Sequence, residues 1–277
     1  MTSSCIPAPA GWAVAAFLLC AYAPASDAGS LGQLFSGTDR RPPSCEAVLR
    51  LRAIEGPLLQ ASTGDAAAFA RLRKRTDELN QSLAARELQP VQAAGARIGA
   101  QLARIQQHQE IVLRARKALD DVRRGSFELL ESAEKLFTAE LVDSAPPARL
   151  AAVSQLAMLT QRLGRSAAEL STGEPLSPEA VFLLGKDTNA FNDLASGLLE
   201  GNAALRLRAA KPGATRQQLT ELARQFAELR TQVQVVLSNL KPLVEVREAR
   251  AIALADGAAL ERSLEEHCTR SGGSTPE

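Results

Sequence analysis

Apolar residues recur at alternating intervals of three and four positions along most of the chain. The most regular run follows Thr215 and consists of Leu219, Leu222, Phe226, Leu229, Val233, Val236 and Leu240. This spacing keeps the apolar side chains on one face of an α-helix and is typical of a helical bundle or a coiled coil. The pattern predicts an all-α protein, an elongated antiparallel helical bundle made of two stacked helical units.

Shorter stripes of the same kind occur elsewhere. Two helices after residue 147 carry the stripes Leu150, Val153, Leu156, Leu159, Leu163, Leu170 and Leu184, Phe191, Leu194, Leu198. Before them we expect a long helix from about Val91, with a kink or junction at Gly125. Its apolar face is predicted to continue through Phe127, Leu130, Phe137 and Leu141.

Two serines mark predicted helix starts. Ser44 follows two prolines, and Ser177 precedes Pro178. A serine side chain accepts a hydrogen bond from a first-turn N–H group, and proline suits the first helical position because its missing N–H would have no partner there. We therefore predict Ser44 and Ser177 as N-caps.

Changes in composition divide the chain into five predicted segments. They are a signal peptide or N-terminal anchor (1–25), a flexible linker (26–43), a first helical repeat unit (44–124), a second helical unit (125–268) and a disordered tail (269–277). The linker is rich in Pro, Gly, Ser and Asp, and such composition does not favour a packed core.

The amino-terminal segment predicts export. Residues 1–26 contain no charged side chain, and Gly11–Ala23 is an uninterrupted apolar run that ends in small residues. This run resembles the core and cleavage site of a secretory signal. It covers only about 20 Å as a helix, less than the ~30 Å hydrocarbon core of a bilayer. We expect a periplasmic protein, with an uncleaved anchor formed by residues 11–23 as the alternative, since no Lys or Arg precedes Arg40.

Composition excludes several function classes. The net charge is only +1, and Trp12 and Tyr22 are the sole Trp and Tyr. Nucleic-acid binding normally needs a basic face with stacking aromatic residues, so we expect no nucleic acid partner. His108 and His267 lie on different predicted helices and have no neighbour at ligand or triad spacing. We predict a non-catalytic protein without a cofactor or a metal site.

Two sequence segments resemble a known family. They are MLTQRLGRSAAEL (Met158–Leu170) and FLLGKDTNAFNDLASGLLEGNAAL (Phe182–Leu205). Both are similar to the second repeat of the type IV pilus chemotaxis transducer N-terminal family, the PilJ/NarX-like sensor domain. The resemblance implies a non-catalytic, membrane-associated sensory or ligand-binding ectodomain of helices. It also implies as partners a second copy in a homodimer, or a receptor or pilus-system protein.

The resemblance assigns a role to two arginines. Arg162 matches the basic position of the helix that holds a small anion in nitrate sensors of this type, and Arg52 lies near the equivalent place in the first repeat. A guanidinium offers paired hydrogen bonds to a planar oxyanion, so we expect a nitrate- or nitrite-like ligand there. The alternative is a surface arginine whose aliphatic stem covers the apolar seam.

Cys45 and Cys268 are the two cysteines outside the leader, which holds Cys5 and Cys20. An even pair in an exported chain indicates one disulfide. In receptors of the resembled family the first helix leaves the membrane and the last returns to it, which implies that the outer ends of these helices are neighbours. A Cys45–Cys268 bridge would clamp those ends.

The chain has no predicted output machinery after its helical units. Receptors of the resembled family add a second membrane span and a cytoplasmic signalling region, whereas this sequence stops at Glu277. Two alternatives to a sensor therefore stay open. The chain is either an exported helical adaptor with no small-molecule ligand, or the remnant of a truncated receptor.

Overall fold

The structure, a computed structural model, describes residues 41–172 and 175–272, and these residues form an all-α bundle. Its helices are α1 (Pro43–Ser62), α2 (Ala66–Leu83), a short 3-10 helix (Arg86–Val91), α3 (Gln92–Gln107), α4 (Gln109–Val142), α5 (Pro147–Leu170), α6 (Pro178–Glu200), α7 (Ala214–Leu237) and α8 (Leu240–Arg270). The predictions for residues 1–25 and 26–40, and for 273–277 of the tail, lie outside the described residues.

Local capping explains where several helices begin. Ser177 Oγ accepts a hydrogen bond from the Ala180 N–H group at 3.1 Å, which confirms the predicted N-cap of α6. Asp65 caps α2 by accepting from the N–H groups of Ala67 and Ala68. The prediction for Ser44 was wrong: α1 begins at Pro43, two residues before the start that a cap at Ser44 would give, and Ser44 is buried in its first turn. Proline presets the helical φ angle, so the helix begins at the second proline.

The helices surround two apolar cores. The first core is made by α1, α2, the 3-10 helix, α3, the start of α4 and α8. The second core is made by the rest of α4 together with α5, α6 and α7, with the loop after α6 closing one end. The predicted stripe of α7 is buried from Leu219 to Val236, and so are Leu184, Phe191, Leu194 and Leu198 of α6. The hydrophobic periodicity therefore identified the inner faces of these helices correctly.

Gly125 does not interrupt its helix. α4 runs through Gly125 without a break. The whole helix has 34 residues and a length of about 51 Å, and it passes from the first core to the second. The interruption occurs instead at His108, between α3 and α4. A Cβ atom at Gly125 would lie 3.4 Å from Leu229 Cδ1, an ordinary packing distance, so this position faces α7 within a continuous helix.

The last helix belongs with the first core. α8 packs against α1 and α3, and its buried residues Leu243, Val246, Leu260 and Leu264 are part of that core. The predicted boundaries assign this segment to the unit 125–268. The division into two repeat units stays a prediction, but the two cores do not follow its boundary, because α4 crosses it and α8 folds back onto α1. No helix in the described ranges is long and apolar enough to cross a membrane.

Candidate functional site

Arg162 lies on the side of α5 that faces α6. Its Nε atom is 2.9 Å from Oδ2 of Asp187, and its side chain remains 40% exposed. Asp187 itself is buried in the second core at 1% exposure. The contact is a charge pair rather than an aligned hydrogen bond, since among the described residues Asp187 Oδ2 has no hydrogen-bond partner. The guanidinium thus neutralises a carboxylate that burial would otherwise make costly.

Asp187 was missed by the sequence analysis, although a signal was present. It lies three residues after Leu184 and four before Phe191, so it occupies a core position of the α6 stripe. An acidic residue at such a position requires a cationic partner from a neighbouring helix. Arg162 lies next to the buried Leu163 of α5, and the partner it reaches across the helix interface is a carboxylate of the same chain.

Arg52 is held by two carboxylates of α8. Its Nε atom lies 2.5 Å from Glu261 and its Nη2 atom lies 2.8 Å from Glu265. The hydrogen bond to Glu261 raises the pKa of Arg52, since it favours the charged form, and the charges of both glutamates add to the effect. One guanidinium between two glutamates leaves a local net charge of −1. This arrangement attracts cations more than anions.

The same two helices are joined by the cysteines. Cys45 in the first turn of α1 and Cys268 near the end of α8 form a disulfide, with Cα atoms 5.0 Å apart. Arg52 lies seven residues after Cys45, and Glu261 lies seven residues before Cys268, so both contacts belong to one antiparallel register. Both cysteines are buried. That Cys45 and Cys268 are bonded in the cell stays a prediction.

A buried arginine closes one end of the second core. Arg149, in the first turn of α5, donates from Nε to both carboxylate oxygens of Glu140 at 3.1 and 3.0 Å. Its Nη1 atom donates to the carbonyl oxygens of Leu198 and Arg208. Both charged residues are buried. Since its donors are used within the protein, Arg149 anchors the loop after α6 instead of facing a ligand.

The two histidines take part in helix contacts. Nε2 of His108 is 3.1 Å from Glu245, and Nδ1 of His267 lies 2.6 Å from the carbonyl oxygen of Ser263, one turn earlier in α8. Across residues 41–172 and 175–272, no group of three or more His, Cys, Asp or Glu side chains is arranged to hold a metal ion.

The outward side of α4 and α5 carries the other notable surface. The face of α4 in the second core is formed by Ser126, Leu129, Ala133, Leu136 and Glu140. The predicted face was therefore wrong by about a quarter of a turn: Phe127 is 69% exposed and Leu141 is 57% exposed. The physical reason is that α5 and α7 both pack against α4, and their joint contact centres on the neighbouring stripe.

A groove between α4 and α5 lies beside the exposed Phe127. We call it the α4/α5 groove, and its lining consists of Arg123, Ser126, Phe127, Leu130, Gln161, Gly164, Arg165 and Ala168. A Cβ atom on Gly164 would lie 2.5 Å from Ser126 Oγ, so the two helices make their close approach at this point. Half of the lining belongs to the segment Met158–Leu170 that carries the family resemblance.

These features define an all-α helical bundle with ion pairs between its helices, of which Arg149–Glu140 is buried. No protein-family model matches the chain. Among curated proteins, Protein PilJ of Pseudomonas aeruginosa is 27% identical over 116 residues, or 42% of this chain. The match spans only 17% of the length of PilJ. It supports a PilJ-like relationship for part of the chain.

Proposed function

We propose that this chain is a non-catalytic helical domain of the sensory or interaction type that works through contact with other proteins. The observation that carries the proposal is the similarity to PilJ over 116 residues. It agrees with the helical bundle and gives weak support for a non-enzymatic role. The partners we propose are a second copy of the chain or a chemotaxis transducer of the type IV pilus system.

Protein contact fits the charges and surfaces better than anion sensing does. Arg162 has its charge balanced by Asp187, and Arg52 lies between Glu261 and Glu265. An incoming anion would have to compete with carboxylates already in place. In contrast, Phe127 stands largely in solvent beside an apolar groove, and an exposed apolar surface of this kind is typical of an interaction site.

The second candidate function is sensing of a nitrate- or nitrite-like anion at Arg162. One observation favours it: this side chain meets Asp187 through its Nε atom, while two fifths of the side chain remains exposed. Its terminal nitrogens would then bind the oxyanion, with Asp187 orienting the guanidinium from behind. Arg52 is the weaker part of this candidate because its Nη2 atom is already bonded to Glu265.

We propose a periplasmic location for the protein. The uncharged apolar leader supports export. The Cys45–Cys268 disulfide supports it as well, because disulfides persist in oxidising compartments and are rare in the cytosol. Cell fractionation tests this location, and recovery of the protein only from the cytosol would count against it. Thiol blocking before non-reducing electrophoresis tests the Cys45–Cys268 disulfide, and two free thiols in the exported protein would count against the bridge.

One experiment separates the two candidates. Thermal unfolding of the purified protein is followed by circular dichroism with nitrate, nitrite or chloride at equal ionic strength, and binding to the periplasmic part of a pilus chemotaxis transducer is measured by calorimetry. We expect saturable binding to the transducer part and equal melting temperatures in the three salts. An anion at 100 times its Kd would add about 2.7 kcal/mol of stability.

The variant Asp187→Asn sharpens the anion test. It removes the competing charge and keeps the shape of the side chain, so an anion site at Arg162 would bind more tightly in this variant. Arg162→Lys keeps the positive charge and loses the planar pair of donors. A nitrate-specific rise in melting temperature that grows in Asp187→Asn and disappears in Arg162→Lys would establish the anion sensor and reject the proposal of pure protein contact.

A further inference from the structure

The outward face of α4 has the spacing of a helix-pairing seam. Phe127, Leu130, Glu134, Phe137 and Leu141 follow one another at steps of three, four, three and four residues. This is the repeat with which helices pair side by side. Leu130 and Phe137 are half-buried against the bundle, whereas Phe127 and Leu141 are more than half exposed. The seam is therefore continuous with the protein core on one side and lies open on the other.

Charges are distributed unevenly along this seam. Arg123 and Arg124 precede Phe127, and Glu131 and Glu134 follow Leu130. The side chain of Arg123 is 51% exposed, with Asp120 of its own helix 3.4 Å away, and Glu134 is exposed. Arg123 and Glu134 lie equally far, on opposite sides, from the point midway between Phe127 and Leu130. A surface with this symmetry is complementary to itself when one copy is turned around.

We propose that the α4/α5 groove and the part of the α4 seam from Arg123 to Glu134 bind a second copy of the chain, with the two α4 helices antiparallel across a two-fold axis between Phe127 and Leu130. Phe127 of each copy then lies opposite Leu130 of the other, and Arg123 lies opposite Glu134. The small residues Gly164 and Ala168 line the groove beside Phe127. The contact is isologous, as in most soluble homodimers.

The charges select this orientation. Parallel helices would place Arg123 against Arg123 and Glu134 against Glu134, and such like-charge contacts are strongly unfavourable. Antiparallel helices replace them by two symmetry-related opposite pairs. Within one chain Arg123 and Glu134 are about 17 Å apart along the helix and cannot pair with each other. Any energetic coupling between them must therefore arise between two copies.

Charge reversal tests the dimer. Sedimentation equilibrium of the full chain is measured for the natural sequence, for Arg123→Glu, for Glu134→Arg and for the double variant. We expect the natural protein to dimerise, each single variant to raise the dimer Kd at least ~10-fold, and the double variant to restore it. Mixing the two single variants in equal amounts should also restore dimers, since each copy then faces an opposite charge at both positions. Lys117→Glu is the matched control on an outer turn of α4.

This inference rests on the proposed function only in taking protein contact as the mode of action. A natural protein that stays monomeric at about 1 mM would reject the dimer. Dimerisation that is insensitive to the single variants, or single variants that do not recover on mixing, would also reject it. Binding to a transducer is measured separately, so failure of the dimer and failure of the proposed function are told apart.

Discussion

Removing the Cys45–Cys268 disulfide should lower the free energy of unfolding by a large, calculable amount. The two cysteines are separated by 223 positions. The loop-closure entropy of an unfolded chain with a bridge of this span corresponds to about 5 kcal/mol at 25 °C. For a domain of this size, each kcal/mol shifts the melting temperature by about 2–4 °C. We therefore expect the reduced protein to melt about 10–20 °C lower.

The assay compares three forms of one protein by urea and thermal unfolding. The oxidised and reduced natural proteins differ only in the covalent bond, so their difference isolates the cross-link. The double variant Cys45→Ala/Cys268→Ala removes the sulfur atoms as well, and alanine avoids placing an unpaired hydroxyl in a buried site. Its stability should be equal to that of the reduced protein or slightly lower.

The Arg52 contacts predict which parts of α1 and α8 loosen when the disulfide is reduced. Glu261 and Glu265 still hold α8 against α1 in the reduced form, so the ends of the helices should fray only as far as this contact. Hydrogen exchange should increase near Cys45 and Cys268 and remain slow beyond Arg52. A change in unfolding free energy below about 1 kcal/mol between the oxidised and reduced proteins would refute the entropic argument.

Three further predictions concern packing, charge and pH. Gly164→Ala should destabilise the protein by about 1–3 kcal/mol in urea unfolding, because its Cβ atom would meet Ser126 Oγ, and adding Ser126→Ala should recover part of the loss. Arg149→Met should cost about 3–5 kcal/mol by leaving Glu140 buried without a counter-charge, and Glu140→Gln in the same background should lessen the cost. The N–H groups at the start of α2 lower the pKa of Asp65, so its contribution is complete above the unfolded-state value near 4 and is lost as pH falls through the folded pKa. The melting temperature should therefore fall less steeply below pH 4 in Asp65→Asn than in the natural protein.

Whether the seam on α4 is an interface bears on how the domain would act. In a dimer that forms through the α4 seam, the disulfide-linked ends of α1 and α8 lie outside the contact, because those helices belong to the first core. The disulfide then restrains α8 against α1 at one end. In such an arrangement, association and restraint lie in different parts of the bundle and can be changed independently by mutation.

The sequence by itself determined the helical class, the inner faces of α5, α6 and α7, and the N-cap at Ser177. These properties depend on residues within a few positions of each other, since helical periodicity and capping are local. It also pointed to Cys45 and Cys268 through their number and the resemblance. What it assigned less well was α4, where two apolar stripes lie side by side and the pattern alone does not say which one faces the core.

Only the tertiary structure decided which partners the charged residues meet. The pairing of Arg162 with Asp187 and of Arg52 with Glu261 joins different helices, and it depends on their crossing and register. Because α5 and α7 pack against one stripe of α4, that stripe is buried and Phe127 remains exposed. The return of α8 onto α1 likewise follows from packing between distant segments, which no local pattern encodes. The physical reason is that local periodicity specifies a helix, whereas neighbouring helices decide the charge and exposure of each side chain.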